Sequence, residues 1–347
     1  MYKKISIHDI ARQLNVSSAT VSYVLNGKAQ EKRISAEQEK RILAFARQAG
    51  YRPNMVAKSL RTGKSKTIGM LVEDIADPFF SSIAREVEKI ASQLDYKIFY
   101  SSTENDTRIT QALIKVFRDA QVDGYIIAPA PGIEEDVQAL INDQLPVILF
   151  DRYFPGLPTV NVVVDNFNGA YQACRHLLDQ GFRHIGLVTL DSTQVQMSDR
   201  LAGYAAAMGE EGLKPRVLKI PYRLPPEKIA GKIKMFIKQH KDMNGVLFAT
   251  NYLAISGLDA INSLHKKIPA DMGIVGFDDN THFSLFSPAV TAVAQPVQEI
   301  SGQVMKMLMA SMADMAGNSR ATTVVLPTRL VIRESSLKTG SKKYSSV

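Results

Sequence analysis

The sequence predicts an N-terminal all-α unit followed by an α/β core of two doubly wound parallel-sheet lobes. Two observations support this fold class. The stretch from Ile5 to Asn26 carries two short helical patterns separated by a tight turn. From Thr67 onward, short aliphatic runs alternate with amphipathic helical patterns, which is typical of parallel sheets covered by helices on both faces. With 347 residues, 45% of them hydrophobic, the chain can build such a core.

The two N-terminal helical patterns are predicted at about residues 7–14 and 18–25. Ser6 and Asp9 have the spacing of a capping box, and Ser17 can cap the second helix. Gly27 can end that helix in a left-handed conformation. A short helix with small polar residues near its N-terminus is typical of a reader of the DNA major groove. The alternative interpretation is an ordinary helical hairpin.

A third helix and a basic segment follow. Ser35 and Gln38 form a second possible capping box, and Gly50 is placed to end the helix. The next segment, residues 54–61, is too short to hold a helix in water without a partner, because helix nucleation is costly. The basic sequence TGKSK links it to the α/β core.

The N-terminal motifs resemble the headpiece of the LacI/GalR family of bacterial transcription regulators. The shared features are an apolar-x-D-[IV]-A helix, a VS turn and a T-V-S helix that ends in N-G. The resemblance implies contacts with DNA phosphates from one group of side chains and with base edges from another. The phosphate group is His8, Thr20, Ser22 and Asn26, and the base group is Ser18, Ala19 and Tyr23.

The same resemblance gives residues 54–61 a role. In this family the matching V-A-x-x-L segment forms a hinge helix on operator DNA and places a leucine in the minor groove. That leucine is Leu60 here, with Val56 and Ala57 as close-packing positions. An inserted aliphatic side chain bends the duplex. The alternative is a plain linker with Leu60 resting on the next domain.

The remainder of the chain predicts nine strands and a second copy of the same plan that begins at Asp165. The strands are IGMLV from Ile68, KIFYS from Lys97, GYIIA from Gly124, PVILF from Pro146, VNVVV from Val160, HIGLVT from His184, VLKIP from Val217, GVLFAT from Gly245 and GIVGF from Gly273. Segments 294–296 and 327–328 are expected to cross between the lobes. The family resemblance continues through the motifs DPFF, FDR, DRLAGY, GFDD, QP and LPTRLVIRESS, over residues 5–336. It implies a periplasmic-binding-protein-like body.

Ligands of open α/β sheets bind beyond the carboxyl ends of the strands, so residues that follow the aliphatic runs are candidates. They are Phe79, Phe80, Asp151, Asn251 and Asp278. Arg200 matches the family arginine that binds the effector, and it is expected to face Asp278 from a loop across the cleft. Rings, carboxylates and a guanidinium suit a polyhydroxylated ligand. The open alternatives are two core phenylalanines and a structural Arg200–Asp278 ion pair.

Two positions depart from the family pattern. The family often has an aromatic ring where this chain has Arg223, and this arginine favours a sugar acid or a phosphorylated sugar as the effector. The frequent N-D pair after the GVLFAT-type strand is Asn251-Tyr252 here, so only Asn251 keeps the family role.

Charge and composition restrict the function classes. Residues 1–66 contain fourteen Lys or Arg and four Asp or Glu, a net charge of +10, whereas the whole chain has +8, so residues 67–347 have −2. A cationic head on a slightly acidic body is typical of a domain that contacts phosphates. One cysteine, Cys174, and an N-terminus without an apolar segment favour a cytoplasmic protein that is neither secreted nor membrane-bound.

The sequence and the family resemblance therefore predict a homodimeric transcriptional repressor that binds palindromic double-stranded operator DNA and a small-molecule effector. Dimerisation follows because one short reader helix gives little specificity and a dyad doubles it. No catalytic residues, metal or cofactor are expected. Sugar-binding proteins without a regulatory role and sugar-modifying enzymes are the alternatives. The predicted domains are 1–53 (headpiece), 54–66 (hinge and linker), 67–337 (two-lobed effector-binding and dimerisation domain) and 338–347 (disordered tail).

Overall fold

The computed structural model describes residues 5–51, 63–314 and 321–338. The chain divides into two compact units, Met1–Ser65 and Lys66–Val347. Each unit has its own hydrophobic core. The predicted tail from residue 339 onward and the segment 54–61 lie outside the described residues.

The N-terminal unit contains three described helices, α1 (Ile7–Leu14), α2 (Ser18–Leu25) and α3 (Ala36–Gln48). The capping box at Ser6 and Asp9 is present with both of its hydrogen bonds, and Ser17 accepts from the Thr20 amide. At Ser35 the structure shows one half of the predicted box, since its hydroxyl accepts from the Gln38 amide. The buried core of this unit is small, and it consists of Ile10, Ala11, Leu14, Val21, Val24, Ala29, Ile42 and Ala46.

The first lobe of the larger unit is a six-stranded sheet in the order β11-β5-β4-β3-β1-β2. All pairs within it are parallel. Its strands are β1 (Thr67–Val72), β2 (Lys97–Ser102), β3 (Gly124–Ile127), β4 (Val147–Phe150), β5 (Val160–Val164) and β11 (Thr322–Leu326). Its helices are α4 (Pro78–Gln93), α5 (Thr107–Asp119), α6 (Glu134–Asn142) and α11 (Val297–Ala313).

The second lobe repeats this plan, with the strand order β12-β10-β9-β8-β6-β7. Its strands are β6 (Ile185–Leu190), β7 (Arg216–Ile220), β8 (Gly245–Phe248), β9 (Gly273–Phe277), β10 (Thr291–Ala294) and β12 (Arg329–Val331). Its helices are α7 (Asn166–Asp179), α8 (Val195–Glu210), α9 (Pro226–Gln239) and α10 (Asn251–Ser263). Helices α7 and α8 approach closely at Gly203, where a Cβ atom would lie 2.1 Å from the Phe167 carbonyl oxygen.

The predicted fold class is confirmed, and the nine predicted strands are present within one or two residues of their predicted ends. Three C-terminal strands, β10, β11 and β12, were not predicted. They have three to five residues each, β11 ends next to Pro327, and β12 pairs antiparallel with β10. The chain passes between the lobes after β5, after β10 and between β11 and β12, so residues 294–296 and 327–328 do cross between the lobes.

The strand order places the ligand-binding edge of each lobe. In both sheets the first strand lies between the second and third strands of its own half, as in the order 2-1-3-4-5. Loops that leave neighbouring strands at this reversal point diverge to opposite faces and open a crevice there. The loops after β1 and β6 therefore define where a ligand would enter.

Candidate functional site

The exposed face of α2 is the first candidate site. Ala19 is exposed, and Ser18 and Tyr23 are partly buried on the same helix. Helix α2 contains no acidic residue, and the Lys32 ammonium lies 5.5 Å from the centre of the Tyr23 ring. A hydroxyl-bearing helix surface without carboxylates and with a lysine beside it is suited to a phosphate-lined groove.

The residues predicted to contact phosphates lie around the same helix pair. His8 on α1 and Asn26 at the end of α2 are exposed. The Thr20 hydroxyl is 2.8 Å from the Ser17 hydroxyl, and the Asn26 amide donates to the Ser22 carbonyl at 2.5 Å. These contacts fix the side chains at both ends of α2. Val56, Ala57 and Leu60 lie outside the described residues.

The second candidate site is a cleft between the two lobes of the body, and Arg200 lies at its centre. The Arg200 side chain is 2% exposed. Its Nε donates to Asn166 Oδ1 at 2.9 Å, and its Nη1 donates to the Ala249 carbonyl at 2.6 Å. The guanidinium carbon lies 3.6 Å from the centre of the Phe277 ring, and Nη1 lies 3.5 Å from Asp278 Oδ2. The guanidinium is held in one orientation on all sides.

The sequence suggested that Arg200 and Asp278 face each other across the cleft. In the structure they do not. Arg200 lies on helix α8 and Asp278 follows β9, so both belong to the second lobe. The reason is that strands β6 to β10 belong to one sheet, and the loops after the carboxyl ends of its parallel strands lie at the same edge. The expected loop position of Arg200 is also wrong, because the helix begins five residues earlier, at Val195.

Asp278 and Asp151 occupy equivalent positions in the two lobes, one directly after β9 and the other directly after β4. Both have left-handed backbones, with φ of 67° and 65°. Gln295 Nε2 donates to Asp278 Oδ1 at 2.6 Å. Burial raises the pKa of Asp278, although the charge of Arg200 acts to lower it. Burial also raises the pKa of Asp151 to about 6, although the charges of Arg152 and Arg200 act to lower it.

A buried ion pair of the first lobe forms part of the same wall. Arg152 is 3% exposed, and its Nη2 lies 2.6 Å from Glu73 Oε2. Its Nε lies 3.7 Å from Asp151 Oδ2. Arg152 therefore holds the two carboxylates that follow β1 and β4.

Two adjoining cavities make up the cleft. The inner cavity has a volume of about 40 Å³. It is lined by Arg200, Asp278, Asp151, Phe79 and Phe80. The outer cavity is about 480 Å³, which lies within the range of small-molecule pockets. Asn251 and Arg223 line the outer cavity. All seven predicted cleft residues therefore contact one or other cavity.

Phe79 and Phe80 fit both interpretations that the sequence left open, namely core residues and residues of the ligand site. They are 8% and 6% exposed and belong to the core of the first lobe. Their rings form an edge-to-face pair with centres 5.1 Å apart, and Phe80 makes a second such contact with Phe150. Both also line the inner cavity, so they form the apolar floor of the cleft.

Arg223 joins the two lobes across the rim of the cleft. Its Nε and Nη2 donate to the Glu104 carbonyl of the first lobe at 2.9 and 2.7 Å. Its Nη2 lies 3.1 Å from Glu104 Oε2, and its Nη1 lies 3.6 Å from Asp106 Oδ2. Beside it, Gln194 of the second lobe exchanges hydrogen bonds with the Asn105 amide at 3.2 and 3.3 Å. The Arg223 charge is therefore already matched by carboxylates.

Several cleft residues were not predicted as site residues. They are Glu73, Asp77, Arg152, Gln196, Tyr222 and Tyr252, together with Gln295, which is a hydrogen-bond partner of the cavity residue Asp278. Three of them stand in motifs that were recognised only as family landmarks, namely Asp77 in DPFF, Arg152 in FDR and Gln295 in QP. Their polar character next to strand ends is the signal that could have identified them.

Asp77 provides a test of the electrostatics of the cleft. Burial raises its pKa to about 6, and the Asp278 carboxylate adds to this shift. Because the folded state holds the proton more tightly, stability is expected to fall as the pH rises from about 4 to 6. Asp77→Asn keeps an acceptor for the Phe79 amide and removes the charge.

We expect Asp77→Asn to stabilise the body at pH 7 by about 1–2 kcal/mol, less than the full shift implies, because solvent reaches this carboxyl group. The gain should vanish near pH 3, which lies below the pKa of Asp77 in both the folded and the unfolded state. Urea unfolding of both proteins at the two pH values measures the difference. An equal difference at both pH values would show that the charge of Asp77 is not destabilising.

Within the described ranges, no helix is long and apolar enough to cross a membrane.

Comparison with known proteins agrees with this architecture. Residues 6–54 match the family model "Bacterial regulatory proteins, lacI family", and residues 174–336 match that of a periplasmic binding protein-like domain. The HTH-type transcriptional regulator RegA of Clostridium saccharobutylicum is 32% identical over 307 residues, which cover 87% of this chain and 91% of RegA.

Two solved structures share the fold at lower identity. The lac repressor dimer bound to operator and the anti-inducer ONPF is 22% identical, with a TM-score of 0.83 over 96% of this chain and 100% of that chain. The complex of the transcriptional regulator CelR with cellobiose is 21% identical, with a TM-score of 0.69 over 96% of this chain and 100% of that chain.

A helix-turn-helix unit and a two-lobed body with a cleft define the class of ligand-responsive transcriptional regulators. The chain belongs to the lacI family of bacterial regulatory proteins, and it is a DNA-binding transcriptional regulator of that family.

Proposed function

We propose that this protein is a homodimeric repressor that binds a palindromic operator and whose operator affinity is controlled by a sugar-like molecule in the cleft. The observation that supports this most strongly is the inner cavity of the cleft, which is lined by the Arg200 guanidinium, the carboxylates of Asp151 and Asp278, and the rings of Phe79 and Phe80. Such groups bind vicinal hydroxyls and the C–H face of a sugar ring. The neighbours solved with operator or with cellobiose support both halves of the proposal.

The headpiece is proposed to read one half-site per protomer. His8, Thr20, Ser22 and Asn26 would contact phosphates, and Ser18, Ala19 and Tyr23 would contact base edges. Residues 54–66 are proposed as hinge and linker, with Val56 and Ala57 at the pairing surface and Leu60 as the wedge in the minor groove. The wedge requires two copies to meet at the dyad, which is why a dimer is part of the proposal.

The ligand would act by favouring one arrangement of the lobes. Asp151 and Phe79 belong to the first lobe, and Arg200 and Asp278 belong to the second, so one molecule that contacts all four bridges the two. A ligand shifts such an equilibrium only by the difference between its affinities for the two arrangements. The three crossings between the lobes are the points that would flex.

We also propose that the protein works in the cytoplasm, without a cofactor, and that it is not an enzyme. The named relative is a transcriptional regulator, which supports a non-catalytic role. The Arg200 environment supports it further, because each of its described contacts holds a charged group in place, and none of them places a nucleophile against a base.

Selection of DNA from a random pool by the purified full-length protein tests the proposed function. We expect enrichment of a palindrome whose half-sites are related by a dyad, with strong weakening of the complex as salt increases. Enrichment without dyad symmetry would contradict the dimeric repressor, and no enrichment over random DNA would contradict sequence-specific regulation.

A further inference from the structure

The arginines of the cleft are already matched by carboxylates. Arg152 contacts Glu73 at 2.6 Å, Arg200 contacts Asp278 at 3.5 Å, and Arg223 contacts Glu104 at 3.1 Å. These three are the only Arg or Lys residues that line the two cavities in the described part of the chain. Each of these arginines therefore has a carboxylate within 4.0 Å, although Nε and Nη2 of Arg152 form no hydrogen bond of good geometry with the described residues.

The carboxylates outnumber the arginines. Asp77, Asp151 and the exposed Asp74 remain after each arginine is matched with one carboxylate. Asp151 lies 3.7 Å from Arg152 and shares it with Glu73, whereas the Asp74 carboxylate accepts from the Ala76 amide at 2.8 Å. Asp77 has no Lys or Arg within 4.0 Å among the described residues. The same is true of Asp74, but Asp74 is exposed and lines only the outer cavity, whereas Asp77 is partly buried and lines both. Asp77 is therefore the carboxylate without a cation that lies deepest in the cleft.

Asp77 also stands where a ligand would find it. It caps helix α4, and it lines both the inner and the outer cavity. Its Oδ1 accepts from the Phe79 amide at 2.8 Å and from Asn251 Nδ2 at 3.4 Å. Both hydrogen bonds go to the same oxygen, so Oδ2 accepts none from the described residues.

A second, independent observation indicates missing hydrogen-bond donors. Gln196 is 2% exposed and lines the inner cavity, and its Oε1 has no hydrogen-bond partner among the described residues. Oε1 of Gln295, whose amide nitrogen donates to the cavity residue Asp278, also has no hydrogen-bond partner among the described residues, although Gln295 is not among the residues that line the cavities. Buried acceptors without a donor are costly, so a ligand that supplies donors removes this cost.

We propose that the effector is a hydroxylated molecule with a primary amine, such as an amino sugar, and that Asp77 binds its ammonium group. This inference rests on the proposed function of the cleft and specifies the ligand class. An ammonium group supplies three donors and one positive charge, which match the free Asp77 oxygen. The hydroxyls of the ligand supply the donors that the Gln196 oxygen lacks.

The outer cavity accommodates the rest of such a ligand. Its volume of about 480 Å³ exceeds that of one sugar ring, and Leu190, Ile220 and Ile229 give it an apolar wall. Tyr222 lines the same space and packs against the hydrophobic core of the second lobe. An aromatic ring held in this way can stack on the C–H face of a sugar.

The proposal revises the expectation of an acidic effector. That expectation depended on Arg223, whose guanidinium is bound to the Glu104 carbonyl and lies beside two carboxylates. An anionic ligand would have to displace these contacts and would approach the unmatched Asp77. Both effects weaken its binding.

Binding of two matched sugar series to the full-length protein without DNA tests the proposal. The series are D-glucose, D-glucosamine and D-glucuronate, and D-galactose, D-galactosamine and D-galacturonate. We expect an amine to bind at least tenfold more tightly than its neutral parent, with the acid weakest, as measured by calorimetry at pH 7. The proposal is overturned if no member binds, or if a neutral or acidic member equals the amine.

Two variants assign the preference to Asp77. Asp77→Asn should reduce the ratio of amine to neutral affinity to about one, because it removes the charge and keeps the shape. Asp74→Asn removes a neighbouring charge that is exposed to solvent and does not line the inner cavity, and the ratio should stay at the wild-type value. Equal ratios in wild type and Asp77→Asn would overturn the assignment.

The binding experiments distinguish a failure of the proposed ligand class from a failure of the proposed regulatory function. An amine that binds through Asp77 without changing operator affinity would refute effector control and leave the ligand class intact. A neutral sugar that binds more tightly than its amine and changes operator affinity would support the regulator and refute the ligand class.

Discussion

Deletion of residues 1–66 should abolish specific operator binding and leave the body able to bind its ligand. The reason is that these residues carry a net charge of +10 while the rest of the chain carries −2. The body also has separate hydrophobic cores and forms its own compact unit. We expect a loss of at least a thousandfold in operator affinity, since non-specific contacts alone would remain. Electrophoretic mobility shift with operator and random DNA measures it.

Deletion of residues 339–347 is the matched control, because this segment also contains lysines, Lys342 and Lys343. Operator affinity should stay near the wild-type value. A truncated body that still distinguished operator from random DNA would place the reader outside the N-terminal unit.

Arg200→Ala should have the largest effect on the body. The substitution leaves Asp278 buried without its cation and removes the donors to Asn166 and the Ala249 carbonyl. Loss of one partner of a buried ion pair costs about 3–5 kcal/mol. We therefore expect a destabilised body that no longer responds to the effector. Urea unfolding and operator titration with and without ligand measure the two effects.

The double variant Arg200→Met with Asp278→Asn separates stability from ligand response. It removes both charges, so part of the stability should return, while the effector response should stay lost because both ligand-contacting groups are absent. A double variant that responded to effector like wild type would refute the role of this pair in the cleft. It would leave a purely structural ion pair.

The sequence predicted the parts of this protein that local pattern determines. Aliphatic runs such as Ile68–Val72 and Gly273–Phe277 are buried on both faces of a sheet, so nine strands were identifiable. Caps at Ser6 and Ser17 were equally clear, because a cap depends on residues three positions apart. The strand Arg329–Val331 was not, since its three residues carry no periodic signal.

The cleft was predictable in its position and less so in its contacts. Asp151 and Asp278 were identified because they follow buried strands, and the structure places both beside the inner cavity. The Arg223 contact with Glu104 joins residues 119 positions apart, and no local pattern encodes it. The same applies to the Arg200 contact with the Ala249 carbonyl, which joins residues 49 positions apart.

The central claim is that occupation of the cleft controls DNA binding by a separate unit of the same chain. Fluorescence anisotropy of labelled operator, titrated with the full-length protein in the presence and absence of a ligand that binds the cleft, tests it most directly. We expect the operator dissociation constant to change by about tenfold or more, which corresponds to a coupling free energy of about 1.4 kcal/mol. Identical titrations under saturating ligand, with ligand binding to the same sample verified, would contradict the claim.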